Sequence, residues 1–396
     1  MSAARVGVLG AGTMGAGIAQ VAALGGRETL LYDAFEGAAE QGATRLGEAL
    51  AKGAARGRWS EAEAEAARAR VRPVATLEEL AGCELLIEAA PEDLALKREL
   101  FGAVAAVCGP DAVLASNTSS LRIAEIAAGV PHPERVVGMH FFNPPALMQL
   151  VEVVAAPQSS EAALATATEL AEAMGRTPIR AKDSPGFVAN RLARPFSLES
   201  LRMLADGLAA PAEIDEIVRD AGFRMGPFEL LDLIGLDVNL TIARSFFAQG
   251  GEPERWRPSP IQEAMVAAGR LGRKSAHGFY DYENGEKSPA NLSSALGSAV
   301  TLRPIAGQSH SGTKGSAVLD RLFAQIANEA AFALEEEVAA PADMDTAMRL
   351  GFNWPRGPIE IGRDLGPARA VEILTALEAE KGPAYAPAPL LQRDGL

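Results

Sequence analysis

The stretch RVGVLGAGTMGAGIAQVAALGG, residues 5–26, decides the fold. It opens on a short apolar run of strand type, turns through glycines, and continues with the apolar periodicity of a helix. Gly10, Gly12 and Gly15 match G-x-G-x-x-G, with Thr13 and Met14 between them. In a strand–turn–helix unit, those glycines permit a tight turn, close approach of a pyrophosphate and close helix–strand packing. The helix then aims its first amides at the phosphates. A second strand, TLLYD, ends in Asp33. A carboxylate there accepts both ribose hydroxyls of NAD and repels the extra phosphate of NADP. Ala34 and Phe35 offer that phosphate no cation.

Outward from this unit, strand signals resume only at VRPV, residues 71–74. The Ala-, Glu- and Arg-rich stretch of about 37–70 reads as a helical excursion, and Ser60 with Glu63 has capping-box spacing. It carries Lys52, Arg56 and Arg58, either as a solvated surface or as a flap towards an anionic ligand. Further strands end in CELLIEAAPED, AVLASNTSSL and RVVGMHFFNP. Their exits place Glu88, Glu92 and Asp93, then Asn117–Ser120, then His140, on the edge where open α/β sheets bind ligands.

His140 precedes the rigid Pro144–Pro145 turn, and Glu152 follows inside a returning strand, LVEVV. A carboxylate between apolar neighbours is costly unless paired. A His–carboxylate pair fixes the tautomer and stabilises the imidazolium, so the histidine takes and returns a proton near neutral pH. Beside NAD, this chemistry suits oxidation of an alcohol.

The ordered motifs GAGTMG, SNTSSL, HFFNP, LVEV, DSPGFVANR and GRKSAHGFYDY span nearly the whole chain. Through them it resembles the NAD-dependent L-3-hydroxyacyl-CoA dehydrogenases. The resemblance implies a Rossmann-type NAD-binding domain followed by all-α domains like the C-terminal domain of 6-phosphogluconate dehydrogenase. It implies that His140 is the catalytic base, Glu152 its partner, and that Ser119 and Asn190 hold the reacting oxygen and the nicotinamide end. It places Glu92, Lys97, Asn143 and Lys274 against NAD. Arg56, and with it Lys52, goes to coenzyme A, although Ala49 stands where some members have a serine contact. The implied reaction is reversible oxidation of (S)-3-hydroxyacyl-CoA in β-oxidation or related acyl-CoA catabolism. The alternatives are 3-hydroxyadipyl-CoA oxidation in phenylacetate breakdown, or a non-catalytic NAD-binding protein on the same fold.

The second half is helical and repeats itself. AEIDEIVRDAGFRMGPFELLDLIG, residues 212–235, has a near copy in residues 342–366, and NRL at 190 matches DRL at 320. The expected boundaries are 1–182 for the NAD-binding domain, 183–284 for a helical substrate and dimerisation-type domain, 285–317 for a linker, and 318–396 for a second, divergent copy. Single-copy members of the resembling family dimerise through this domain, so the tandem copy is expected to supply that contact within one chain, with a homo-oligomer as the alternative.

Bulk composition narrows the partners. The chain has 396 residues and a formal net charge of −14, which disfavours nucleic acid and anionic membrane. Two cysteines make neither a disulfide framework nor a zinc site, so no metal is expected and a reducing cytoplasm fits. The N-terminus has no signal-peptide pattern, and no apolar run is long enough to span a bilayer.

Overall fold

The computed structural model describes residues 4–292, 296, 303, 311–393 and 395–396. The chain divides into two compact units, Met1–Phe187 and Val188–Leu396.

The first unit is an eight-stranded sheet in the order β3-β2-β1-β4-β5-β6-β7-β8. Its strands are β1 Arg5–Leu9, β2 Glu28–Tyr32, β3 Val71–Val74, β4 Leu85–Glu88, β5 Val113–Ser116, β6 Val136–Phe141, β7 Leu150–Ala155 and β8 Thr177–Lys182. Neighbours from β3 to β6 are parallel, as helical crossovers require. The order reverses between β1 and β4, the place where such sheets open a ligand crevice. The link from β6 to β7 is too short for a crossover helix, so this pair is antiparallel. The excursion after β2 consists of helices α2 (Ala38–Ala55) and α3 (Glu61–Arg70). Ser60 Oγ accepts the Glu63 amide at 3.1 Å and Glu63 accepts the Ser60 amide at 2.6 Å, so the capping box forms.

The second unit is helical apart from a hairpin, Tyr280–Glu283 with Glu286–Pro289. Its repeat is visible element by element. Helices Pro211–Asp220, Pro227–Ile234 and Leu236–Gln249 correspond to Pro341–Phe352, Pro358–Leu365 and Pro367–Lys381. Asp215 accepts the Phe228 amide at 2.9 Å, and Asp345 accepts the Ile359 amide at 2.8 Å. Each aspartate caps the helix that follows its own. Gly226 and Gly357 are forced by these caps, because a Cβ at either would overlap the aspartate.

The two copies also exchange buried charges reciprocally. Arg191 pairs with Glu329 at 2.7 Å and Glu336 at 2.6 Å. Arg321 pairs with Glu199, and with Asp206 at 2.7 Å. Arg321, Glu329 and Glu336 follow Arg191, Glu199 and Asp206 by one constant interval in sequence, so the contact is of the self-complementary, two-fold kind. One of the places where the copies differ bears on the hairpin. Asp232 receives the amides of Phe279 and Tyr280 from the hairpin segment. Its counterpart Arg363 donates to the carbonyl of Leu396.

The expected linker at 285–317 needs correction at both ends. Residues 286–289 are a strand, and 311–317 already belong to the helix Ser311–Glu335. Most of the stretch between lies outside the described residues.

Candidate active site

The glycine turn is built as its spacing demands. Gly10 has φ +97° and a Cβ there would meet the carbonyl of Ala89 at 2.8 Å, so only glycine fits. A Cβ at Gly15 would lie 1.7 Å from the Gly10 carbonyl oxygen, which lets helix α1 (Thr13–Leu24) press against β1. Gly12 differs: a Cβ there meets nothing within 4 Å. It caps α1 with no side-chain hydrogen bond, so open space lies before a helix start whose amides await an acceptor. Thr13 is exposed in the first turn, while Met14 packs partly into the core. Asp33 accepts the Ala11 amide at 2.7 Å and the Phe35 amide at 3.0 Å, which fixes its carboxylate beside this turn. These features fit a dinucleotide.

The polar strand exits form one network. Glu88 ends β4 fully buried and accepts from Lys97 Nζ and Ser116 Oγ, both at 2.6 Å. Lys97 is only 1% exposed and its ammonium also lies 3.4 Å from Glu92, so it ties the two glutamates together inside the unit. Glu92 accepts from the Thr118 hydroxyl at 2.6 Å and the amides of Ser119 and Ser120 at 3.1 and 3.0 Å. Burial works against its ionisation, but those donors and the Lys97 charge outweigh it and hold its pKa below the usual carboxylate value. Ser119 itself is exposed. Asn117 Oδ1 accepts the Phe141 amide at 2.8 Å and so stitches the β5 exit to the β6 exit.

On the next strand pair, His140 stands directly opposite Glu152. Opposed residues on an antiparallel pair bring their Cβ atoms to about 4.5–5.5 Å. Here His140 Nδ1 lies 2.6 Å from Glu152 Oε2. The carboxylate is fully buried and the histidine nearly so. The rings of Phe142 and Phe187 flank the imidazole at 4.6 and 5.8 Å. A buried carboxylate at Nδ1 keeps the proton there and leaves the Nε2 lone pair free to accept one.

The remaining expected residues are dispersed. Asn143 is exposed in the turn after β6. Lys52 and Arg56 are exposed at the end of α2. Asn190 and Lys274 belong to the second unit, Asn190 partly buried in helix Ala189–Leu192 and Lys274 paired with Asp237 at 2.5 Å. Arg45 escaped the sequence reading, and Asp183 entered it only as the first letter of DSPGFVANR, with no role of its own. Arg45 on α2 donates to the Ala11 carbonyl at 2.7 Å and so brings a cation to the glycine turn. Asp183 accepts the amides of Ile123 and Ala124 at 3.0 and 2.9 Å. Nothing local shows what either one holds, since the partners of both are distant in sequence.

Comparison with known proteins points to one family. A profile of the 3-hydroxyacyl-CoA dehydrogenase NAD binding domain matches residues 5–184. A profile of the 3-hydroxyacyl-CoA dehydrogenase C-terminal domain matches residues 186–282 and 318–394. A 3-hydroxyadipyl-CoA dehydrogenase of Escherichia coli is 36% identical, over 99% of this chain and 97% of that protein. A probable 3-hydroxybutyryl-CoA dehydrogenase of Bacillus subtilis is 43% identical, over 72% of this chain and 99% of its own. The crystal structure of an Escherichia coli 3-hydroxybutyryl-CoA dehydrogenase superposes with a TM-score of 0.88 at 35% identity, covering 100% of this chain and 98% of that one.

Proposed function

This chain belongs to the 3-hydroxyacyl-CoA dehydrogenase family as an NAD-dependent oxidoreductase, and from that premise we propose how its residues divide the oxidation of (S)-3-hydroxyacyl-CoA to 3-ketoacyl-CoA. The observation that carries the proposal is the buried 2.6 Å contact of His140 with Glu152. Bound NAD supplies the hydride acceptor. His140 Nε2 takes the proton of the substrate hydroxyl, while Nδ1–H stays on Glu152. The growing imidazolium charge therefore never stands unpaired in a buried site. The Ser119 hydroxyl and the Asn190 amide hold the reacting oxygen and the nicotinamide end. Gly10, Gly12, Thr13, Met14 and Gly15 take the pyrophosphate and Asp33 the ribose. Glu92, Asn143 and Lys274 line the cofactor, and Lys97 supports it through Glu92. Lys52 and Arg56 have no carboxylate partner among the described residues, which suits them to the phosphates of coenzyme A.

Two substrates suit this reading. One is 3-hydroxybutyryl-CoA, and the other is the diacid 3-hydroxyadipyl-CoA, after which a relative matched over 97% of its length is named. We also infer that the second helical copy stands in for a partner subunit's contact, supported by the reciprocal Arg191 and Arg321 pairs. Buried thiols at Cys83 and Cys108 support a cytoplasmic setting. No helix among the described residues is long and apolar enough to cross a membrane.

The test is NADH formation from (S)-3-hydroxybutyryl-CoA and 3-hydroxyadipyl-CoA by wild type and variants. His140→Gln should lower kcat by about 10²–10⁴. Glu152→Gln should lower kcat while NAD binding persists. The double variant should be little worse than His140→Gln alone if the two act as one unit. Full activity in His140→Gln would remove the histidine from the mechanism.

A further inference from the structure

Among its described residues the second unit buries three guanidiniums, and they are not treated alike. Arg191 and Arg321 each hold two carboxylates. Arg194, one helical turn after Asn190, holds none. Arg194 is 6% exposed, its Nε and Nη1 meet no hydrogen-bond acceptor, and no ion pair reaches it among the described residues. Its one polar-type contact is with the ring of Phe246, 5.3 Å beneath the guanidinium. Burial pushes its pKa down to about 10, which still leaves it charged at neutral pH. A buried charge without a partner is among the costliest features of a protein interior, and buried unsatisfied donors are rare enough to require a reason. An anion absent from the chain itself supplies one.

Position says which anion. The backbone stays helical through Ala193, with φ −77° and ψ −16°. Residues four apart on a helix share a face, with Cβ atoms about 5–6 Å apart. Asn190 is the residue assigned above to the reacting end of the substrate. A short diacid places its second carboxylate only a few bonds beyond the carbinol carbon, within reach of a side chain as long as arginine. The planar fork of a guanidinium matches a carboxylate in two parallel hydrogen bonds.

We propose that Arg194 is the receptor for a carboxylate at the far end of the acyl chain, making dicarboxylic 3-hydroxyacyl-CoA the preferred substrate class. The inference rests on the dehydrogenase reading and on the placement of Asn190 in it.

Two substrates that differ only in that carboxylate test it: 3-hydroxyadipyl-CoA and 3-hydroxyhexanoyl-CoA. Wild type should favour the diacid in kcat/KM by at least tenfold. Arg194→Met should collapse that ratio by a factor on the order of 10², the scale of a lost charged hydrogen bond. Arg194→Lys, which keeps the charge but not the fork, should retain part of the preference and guards against a folding defect in Arg194→Met. A wild type without preference for the diacid overturns the proposal. So does an Arg194→Met variant in which both substrates lose equally, because the guanidinium would then grip something common to both, such as coenzyme A. Failure to oxidise either thioester would instead strike at the dehydrogenase assignment itself.

Discussion

Asp33 spends one carboxylate oxygen on the Ala11 amide and the other on the Phe35 amide, so its charge is held at the glycine turn by the backbone itself. Wild type should therefore favour NAD over NADP in kcat/KM, and equal efficiencies would refute this role. Asp33→Ala should narrow the gap by removing repulsion of the 2′-phosphate. Arg45, whose guanidinium is fixed on the Ala11 carbonyl, should then help, so that adding Arg45→Ala takes back part of the gain in NADP efficiency. At this scale the sequence spoke clearly where chemistry follows a local pattern. Strand alternation and a fixed separation brought His140 to Glu152, and glycine spacing marked the tight turn between β1 and α1. It was silent where partners lie far apart. Arg191 and Arg194 look equivalent in NRLARPF, yet the carboxylate that distinguishes them, Glu329, sits 138 residues beyond Arg191.

Among the elements, the cap at Asp215 has a measurable consequence. Burial raises its carboxyl to about pKa 7, against the opposing pull of the Tyr280 hydroxyl and the Phe228 and Glu229 amides. Its unfolded value is the ordinary 3.8. Between these limits the folded state binds a proton that the unfolded chain does not. The group's contribution to stability is thus fully present below about pH 4 and is lost as pH rises through 7. In urea titrations, wild type minus Asp215→Asn should show stability falling with pH across that window. A flat difference would mean that the carboxyl titrates normally. The repeat of this cap at Asp345 was readable as a sequence repeat, because cap, glycine and proline recur together. The hairpin Tyr280–Pro289 was not. Its second strand, Glu286–Pro289, is exposed at every position, so no alternation of apolar residues betrays it.

For the molecule as a whole, the reciprocal pairs between the helical copies set the expectation for truncation. A chain ending before the helix Ser311–Glu335 takes Glu329 and Glu336 away from Arg191, and uncovers Phe196 and Phe223, whose rings pack tilted and edge-on against Trp354. Losing one side of a buried pair typically costs about 3–5 kcal/mol. The shortened protein should self-associate or precipitate, as light scattering would report, and a stable active monomer would refute the arrangement. The same pairs have a bearing on heredity. In a two-fold homodimer every substitution is written twice, so no residue can serve one side of the interface at the other's expense. Here each position is encoded separately. Asp232 can keep its grip on the hairpin segment while Arg363, its counterpart, turns to Leu396. A tandem repeat thus lets its two halves answer to different demands at equivalent positions, which a pair of identical subunits cannot do.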